Sequence, residues 1–299
     1  MLIDDSRPEL YIDNIECQNL SSDKEVFFIE DGHKYYHKDD IVNNKIIPFE
    51  DSKYKFRSPT GILAEFKEYF DTEFQAKKYV KKHELDITWE EQAALWKAKG
   101  DKASEEGTLL HGYAEAIWNK WPMDTPDNIK SKYVHIMHKE LSANKILAKT
   151  ELLVYSRILR IAGQVDLLMR NQDGSEYYIL DYKFIKAPLE RKSWFNPRTR
   201  KYKMMKGPFS RLYDSNYYHY SIQMEFYRYL MGNVGKKVTE KKLLVFTPEK
   251  YESIEGYDIK IWVSSKGILH ARYKDYRGKL YDSSKDKKYL AGPFKVIEI

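Results

Sequence analysis

The feature that most constrains the fold is a change of hydrophobic period after Lys149. Before it, apolar residues recur at helical spacing; after it, TELLVYSRILRIAGQVDLLMR and then EYYILDYKFI alternate or run apolar as strands do. Asp173-Gly174, a pair suited to a tight turn, separates the last two runs. Residues 216–231, NYYHYSIQMEFYRYLM, return to helical spacing, and KKLLVFTP reads as a further strand. The order helix, three strands, helix, strand predicts an α/β chain whose central mixed β-sheet is flanked by helices.

Ahead of this core, residues 25–37 place Asp31-Gly32 between two aromatic-rich runs, which predicts a β-hairpin. Ser58 is a candidate N-cap with Pro59 in the first turn of a helix through GILAEFKEYF, followed by FQAKKYVKKH and ITWEEQAALWKAKG. Gly100 and Gly107 bracket a polar stretch, and TLLHGYAEAIWNKW then reads as an amphipathic helix closing near Pro122. The tail from Lys266 is polar and tyrosine-rich, with a last strand expected at PFKVIEI. The expected organisation is an N-terminal hairpin and helical region at 1–104, a core at 105–265 and a C-terminal extension at 266–299. No internal repeat or low-complexity segment interrupts it.

Counting outward from Asp173-Gly174 gives the core a geometry. In a two-residue turn, Asp166 lies seven positions before and Asp181 seven after, so they face each other across an antiparallel pair. Directly opposed residues have Cβ atoms about 4.5–5.5 Å apart, where two like charges are destabilising unless neutralised. A divalent cation would do this. Lys183 returns to the face of Asp181 by the strand's period of two, while Tyr182 points the other way. A tighter turn around Ile158-Leu159 sets Glu151 opposite Asp166 in the same manner, and Gly163 permits a bulge or a close backbone approach.

AGQVDLL followed by ILDYKF resembles the two core motifs of the PD-(D/E)XK nuclease superfamily. Val165 stands where the family name has proline, and Gly163-Gln164-Val165-Asp166 matches the Gly-x-x-Asp form of the RecB-like branch. GTLLH, with His111 on a helix ahead of the sheet, and Gln223-Met224-Glu225-Phe226-Tyr227, fitting a Q-x-x-x-Y helix, sharpen the likeness. It covers roughly residues 105–250, with weaker similarity near the hairpin and first helices to phage and mitochondrial exonucleases.

The resemblance implies a restriction-endonuclease-like core and metal-dependent hydrolysis of DNA. It assigns Asp166 and Asp181, with His111 and a backbone carbonyl near Tyr182, as ligands of Mg²⁺ or Mn²⁺, and Lys183 as the group that positions or helps deprotonate the attacking water. Glu151 is a catalytic carboxylate that orients the others or holds a second ion. Gln223 contacts substrate, and Tyr227 lies beside it or packs the helix. An exonuclease of replication, recombination or repair is implied, with DNA and replication or recombination proteins as partners. A structure-specific or single-strand endonuclease, RNA as the substrate, or an inactive nucleic-acid-binding module are the alternatives.

The rest of the sequence bounds these readings. Lys and Arg exceed Asp and Glu for a formal net charge of +6, which suits a polyanionic partner without naming one. Between the D-x-K strand and the Gln223 helix, basic residues including Arg198, Arg200 and Lys201 interleave with Trp194, Phe195 and Tyr202, a pattern that can neutralise phosphates and stack on unpaired bases. A solvated loop is the competing reading. Likewise, His111 could be an interior histidine, the two aspartates could form an ion-pair network with Lys183 and Arg160, and Gln223 and Tyr227 a core-facing stripe. Cys17 is the single cysteine, which excludes a cysteine-built iron–sulfur cluster or intramolecular disulfide and suits a reducing, cytosolic compartment. The acidic start MLIDDSRPELYIDN does not read as a signal peptide, and no window is apolar enough for a membrane span.

Overall fold

The computed structural model describes residues 25–290 except Glu30, Asp31, Asn44, Arg198, Asn233 and Val234, together with short strands at Tyr11–Ile12, Ile15–Glu16 and Asn19–Leu20. Cys17, Asp31, Arg198 and the strand expected at 293–299 lie outside the described residues.

β1 (Val26–Ile29) and β2 (Lys34–His37) form the expected hairpin, with Gly32 at φ 74° in its turn. Val26, Phe28 and Tyr35 bury against Phe56, Leu153 and Ala162, fixing the hairpin to the central sheet. α1 (Pro59–Ala64) is capped by Ser58, whose Oγ accepts the Gly61 N–H at 3.0 Å. It stops well short of Phe70, because the chain turns to bury Phe66. The Phe66 carbonyl accepts the Lys206 N–H at 2.7 Å, and its ring lies where a Cβ on Gly207 (φ 58°) would come within 2.6 Å.

α2 (Thr72–Lys82) begins at the Asp71 cap. α3 (Trp89–Asn119) is one continuous helix of 31 residues, opened by a Thr88/Glu91 capping box and closed by Lys120 in the left-handed region. Gly100 and Gly107, read as brackets around a polar stretch, are both helical. Each interior glycine costs about 1 kcal/mol relative to alanine, and burial of Leu110, Tyr113, Ala114 and Trp118 in the second half outweighs that local signal. α4 (Ser131–Ser142) follows.

The centre is a five-stranded mixed sheet. β3 (Ile146–Ser156), β4 (Ile161–Arg170) and β5 (Tyr177–Phe184) form an antiparallel meander; after α5 (Asn216–Gly232), β6 (Val238–Phe246) pairs parallel to β5, and β7 (Tyr251–Glu255) closes the order β7-β6-β5-β4-β3. A parallel pair needs a crossover, and α5 supplies it. Trp118, Met137 and Leu141 of α3 and α4 pack with Leu167, Met169, Leu180 and Leu244 on one face. On the other, Ile222, Phe226 and Leu230 of α5 cluster with Ile179, Leu243 and Val245. The chain is therefore mixed α/β, with the five-stranded sheet flanked by helices.

β8 (Ile259–Val263), β9 (Leu269–Lys274) and β10 (Leu280–Asp282) form a further antiparallel sheet, whose Ile259, Ile261, Leu269 and Ala271 join the α5 core cluster. The reading of the chain from Lys266 as a polar tail missed β9 and β10, and β8 just ahead of it was not expected either. The division expected at 104 falls inside α3, and that at 265 inside the β8–β9 connection. Among the described residues no helix is long and apolar enough to cross a membrane.

Candidate active site

The β4–β5 ladder runs from Arg170–Tyr177 to Leu167–Leu180 and stops one pair short of Asp166 and Asp181. Its connection is a longer loop than the expected two-residue turn: the Gly174 N–H donates to the Asn171 carbonyl at 3.3 Å and the Glu176 N–H to Asn171 Oδ1 at 3.1 Å. Asp173-Gly174 still sits at its middle, with Gly174 at φ 73°, so the register is the one that counting gave. Beyond Leu180 a side chain takes over from the ladder. Asp166 Oδ2 accepts the Tyr182 N–H at 2.7 Å.

On the other side, Arg157–Arg160 make the turn between β3 and β4, with the Leu159 N–H on Ser156 Oγ at 3.2 Å and Arg160 at φ 52°. The pairs Leu152–Val165 and Thr150–Leu167 bracket Glu151 opposite Asp166. Glu151 itself has φ 43°, uncommon for a residue with a Cβ. Such strain, of order 1–3 kcal/mol, persists only where the surroundings over-determine it, here a ladder on both sides.

Ligand atoms of Glu151, Asp166 and His111 all lie within 4.8 Å of one another. α3 supplies His111, whose ring meets Tyr182 and Phe184 edge-on at 5.5 and 5.4 Å and whose Nδ1 is 3.6 Å from Asp166 Oδ2. Burial, reinforced by the Lys183 charge, holds the imidazole down to about 4, so it is neutral and its nitrogen lone pair is available. Asp181 is 1% exposed and takes the Lys183 ammonium on Oδ2, while its Oδ1 receives no hydrogen bond from a described residue.

Burial pushes Asp181 up to about 6, with Asp166 adding to the shift and Lys183 opposing it. Glu151 is raised well above the ordinary range by burial and then by Asp166 and Glu115. Asp166 is raised by burial, against the pull of Lys183 and the Tyr182 N–H. Lys183 is lowered by burial but raised overall by Asp181 and Asp166. The site thus concentrates more negative charge than one ammonium offsets, the electrostatic condition under which a cation binds.

Of the remaining sequence candidates, Gln223 Nε2 donates to Tyr227 Oη at 2.8 Å, and Tyr227 is buried. Gly163 is a close-approach glycine rather than a bulge: a Cβ there would lie 2.7 Å from Tyr227 Cε1 and 3.1 Å from Pro59 Cδ. Tyr182 buries its ring on the α3 face, and its backbone meets Asp166 through the N–H, whereas the carbonyl had been expected at a metal. Arg160 is exposed and pairs with neither aspartate among the described residues. Trp194 (65% exposed), Arg200 and Lys201 belong to a two-stranded ribbon at Phe195–Asn196 and Lys201–Tyr202, which packs on Tyr213. Among the described residues, no hydrogen bond or ion pair joins them to the carboxylates.

Three neighbours were not found in the sequence. Lys183 Nζ lies 4.7 Å from the centre of the Tyr220 ring, and the position of Tyr220 one helical turn before Gln223 is the signal that could have found it. Glu115, four residues after His111 on the same helix face, accepts from Thr150 Oγ1 at 3.3 Å. Buried Tyr35 of the hairpin is raised by burial and by the charges of Glu151 and Asp166, a long-range placement with no local signal.

No protein-family model matches the chain, and no curated protein matches it.

Proposed function

We propose that the chain is a divalent-metal-dependent nuclease with a restriction-endonuclease-like core, resembling the RecB-like branch of the PD-(D/E)XK superfamily, and that it hydrolyses DNA as an exonuclease in replication, recombination or repair. One observation carries the reading. A helix-borne neutral imidazole and two strand-borne carboxylates converge within 4.8 Å beside a buried aspartate paired with the lysine of the D-x-K sequence.

The donor set fits Mg²⁺ or Mn²⁺: carboxylate oxygens are the hard ligands both ions take, an imidazole favours Mn²⁺, and Asp181 Oδ1, buried without a hydrogen-bond donor among the described residues, leaves acceptor capacity to spare. Glu151, Asp166 and His111 would hold the ion, with Asp181 next to them. A bound ion of this kind lowers the pKa of water and offsets charge on the phosphoryl oxygens. Lys183 keeps its proton and presents positive charge where the transition state becomes more negative, and the Tyr220 ring positions its ammonium. Gln223 uses one of its two amide N–H groups on Tyr227, which leaves the other to donate to a phosphate oxygen and the amide oxygen to accept from a base.

The test is incubation with end-labelled linear single-stranded and duplex DNA, closed circular DNA and RNA, each with Mg²⁺, Mn²⁺ or EDTA. Linear DNA is degraded from its ends with metal and stays intact in EDTA. Cleavage of closed circles replaces the exonuclease with an endonuclease, and binding without cleavage of any substrate leaves the inactive module.

Metal affinity should also depend on pH. Without metal, the folded site binds more protons than the unfolded chain wherever a carboxyl is raised: for Asp181 the stabilising effect of protonation is present below about 4 and lost as pH rises through about 6. An ion must displace those protons, so its stabilising effect grows over the same window. The Tm gain from saturating Mn²⁺ is expected to be larger at pH 7.5 than at pH 5. Equal gains at both values would remove these carboxyls from the metal site.

A further inference from the structure

A cavity of about 460 Å³ lies between α3 and the chain leaving β5, and it adjoins the carboxylate site. Its apolar walls are Trp96 and Ala103 of α3 with Phe184 and Ile185. Phe184 directly follows Lys183, and its ring packs on His111 at 5.4 Å, so one aromatic side chain borders both the groove and the cluster. Ala103 and His111 are eight residues apart and share a face of α3, with Gly107 midway between them.

The charges at the rim are unequal. The Glu106 carboxylate is already neutralised by Lys130, whose hydrogen bond is the main cause holding its pKa low. Lys99 and Lys186 are exposed and form no ion pair with a described residue, and the Lys186 charge contributes only a minor part of the pull on Glu106. Apolar, aromatic walls below two spare ammonium groups suit a flat ring carrying an anion. The volume falls within the roughly 300–1,000 Å³ of small-ligand pockets. An acidic peptide would satisfy the lysines but leave the Trp96 face without a flat partner, and a duplex buries the faces of its bases.

We propose that this groove seats an unpaired nucleotide of a single DNA strand beside the reacting phosphodiester, its base against Trp96 and its phosphates at Lys99 and Lys186. The ligand's identity rests on the nuclease reading.

The test measures binding without cleavage: full-length protein in EDTA with fluorescein-labelled oligo-dT, followed by anisotropy across a salt series. Trp96→Ala removes a stacking face and weakens binding about tenfold. The double variant Lys99→Glu with Lys186→Glu reduces the slope of log affinity against log salt by about 1–2. Because Trp96 also packs on Phe70 and Tyr79, a second variant guards against loss of fold. A Cβ at Gly100, which lines the groove, meets no atom within 4 Å, so Gly100→Leu favours the helix while filling the groove.

Gly100→Leu therefore keeps or raises Tm and still loses affinity. Parent-like affinity in both Trp96→Ala and Gly100→Leu overturns the proposal, as does tighter binding of an acidic peptide or of blunt duplex than of oligo-dT. Weaker binding of oligo-rU supports DNA as the strand, and tighter binding overturns that part. If the chain cleaves DNA while the variants bind as the parent does, the groove alone fails. If it binds through the groove but cleaves nothing with any metal, the nuclease reading alone fails.

Discussion

Asp166→Asn and Lys183→Met each reduce strand cleavage by about 10²–10⁴-fold, the range expected when a group that acts on the reacting atoms is removed. The two variants fail for different reasons. Asparagine retains an oxygen for the Tyr182 N–H, so the β4–β5 junction keeps its hydrogen bond while the site loses a negative charge within reach of His111 and Glu151. Methionine leaves Asp181 buried without its cation, which drives that carboxyl further towards its neutral form. Asp166→Asn should therefore weaken apparent Mn²⁺ affinity. Lys183→Met should lower kcat even at saturating metal. Initial rates on an end-labelled strand over a Mn²⁺ titration, with circular dichroism melts alongside, separate the two. Turnover within tenfold of the parent in either variant, at matched folding, would reject the site.

The register of the site was legible because a strand's period of two is rigid: once a turn centre is placed, every opposing pair follows. Asp173-Gly174 and Ile158-Leu159 each marked a true centre, although the first belongs to a longer loop than the pair suggested. That tolerance explains why Glu151, Asp166 and Asp181 were placed correctly from a partly wrong turn. Lys183 followed from the same period of two and His111 from motif resemblance, and the fold brings them to the same carboxylates. What was not legible depended on contacts distant in sequence. Tyr35 reaches the site from a hairpin more than a hundred residues from Glu151, α1 ends where Phe66 meets Gly207, and α3 runs through three glycines because its far half is buried. The groove at Trp96 has the same origin, since its walls are two segments that meet only in the folded chain.

The largest stability effect is expected away from the chemistry, at Glu225. This residue is 0% exposed, yet its carboxylate takes both forks of Arg228, the Lys241 ammonium at 2.5 Å and the Ile261 N–H at 3.3 Å. One side chain thereby ties α5 to β6 and to β8. Glu225→Leu removes the acceptor for all three and leaves Lys241, 11% exposed, as a buried cation with no counter-charge. Breaking a buried pair from one side costs about 3–5 kcal/mol, on the order of 10 °C in Tm for a chain of this size. Adding Lys241→Met to the same chain removes the orphaned charge and should recover part of the loss, a non-additivity that a double-mutant cycle in thermal melts measures. Simple additivity of the two changes would show that Lys241 reaches solvent readily and that the carboxylate is not its anchor. Because α5 also carries Tyr220, Gln223 and Tyr227 beside Lys183 and Gly163, partial loosening of this tie should lower cleavage before the chain unfolds, as rates falling at temperatures below the melt.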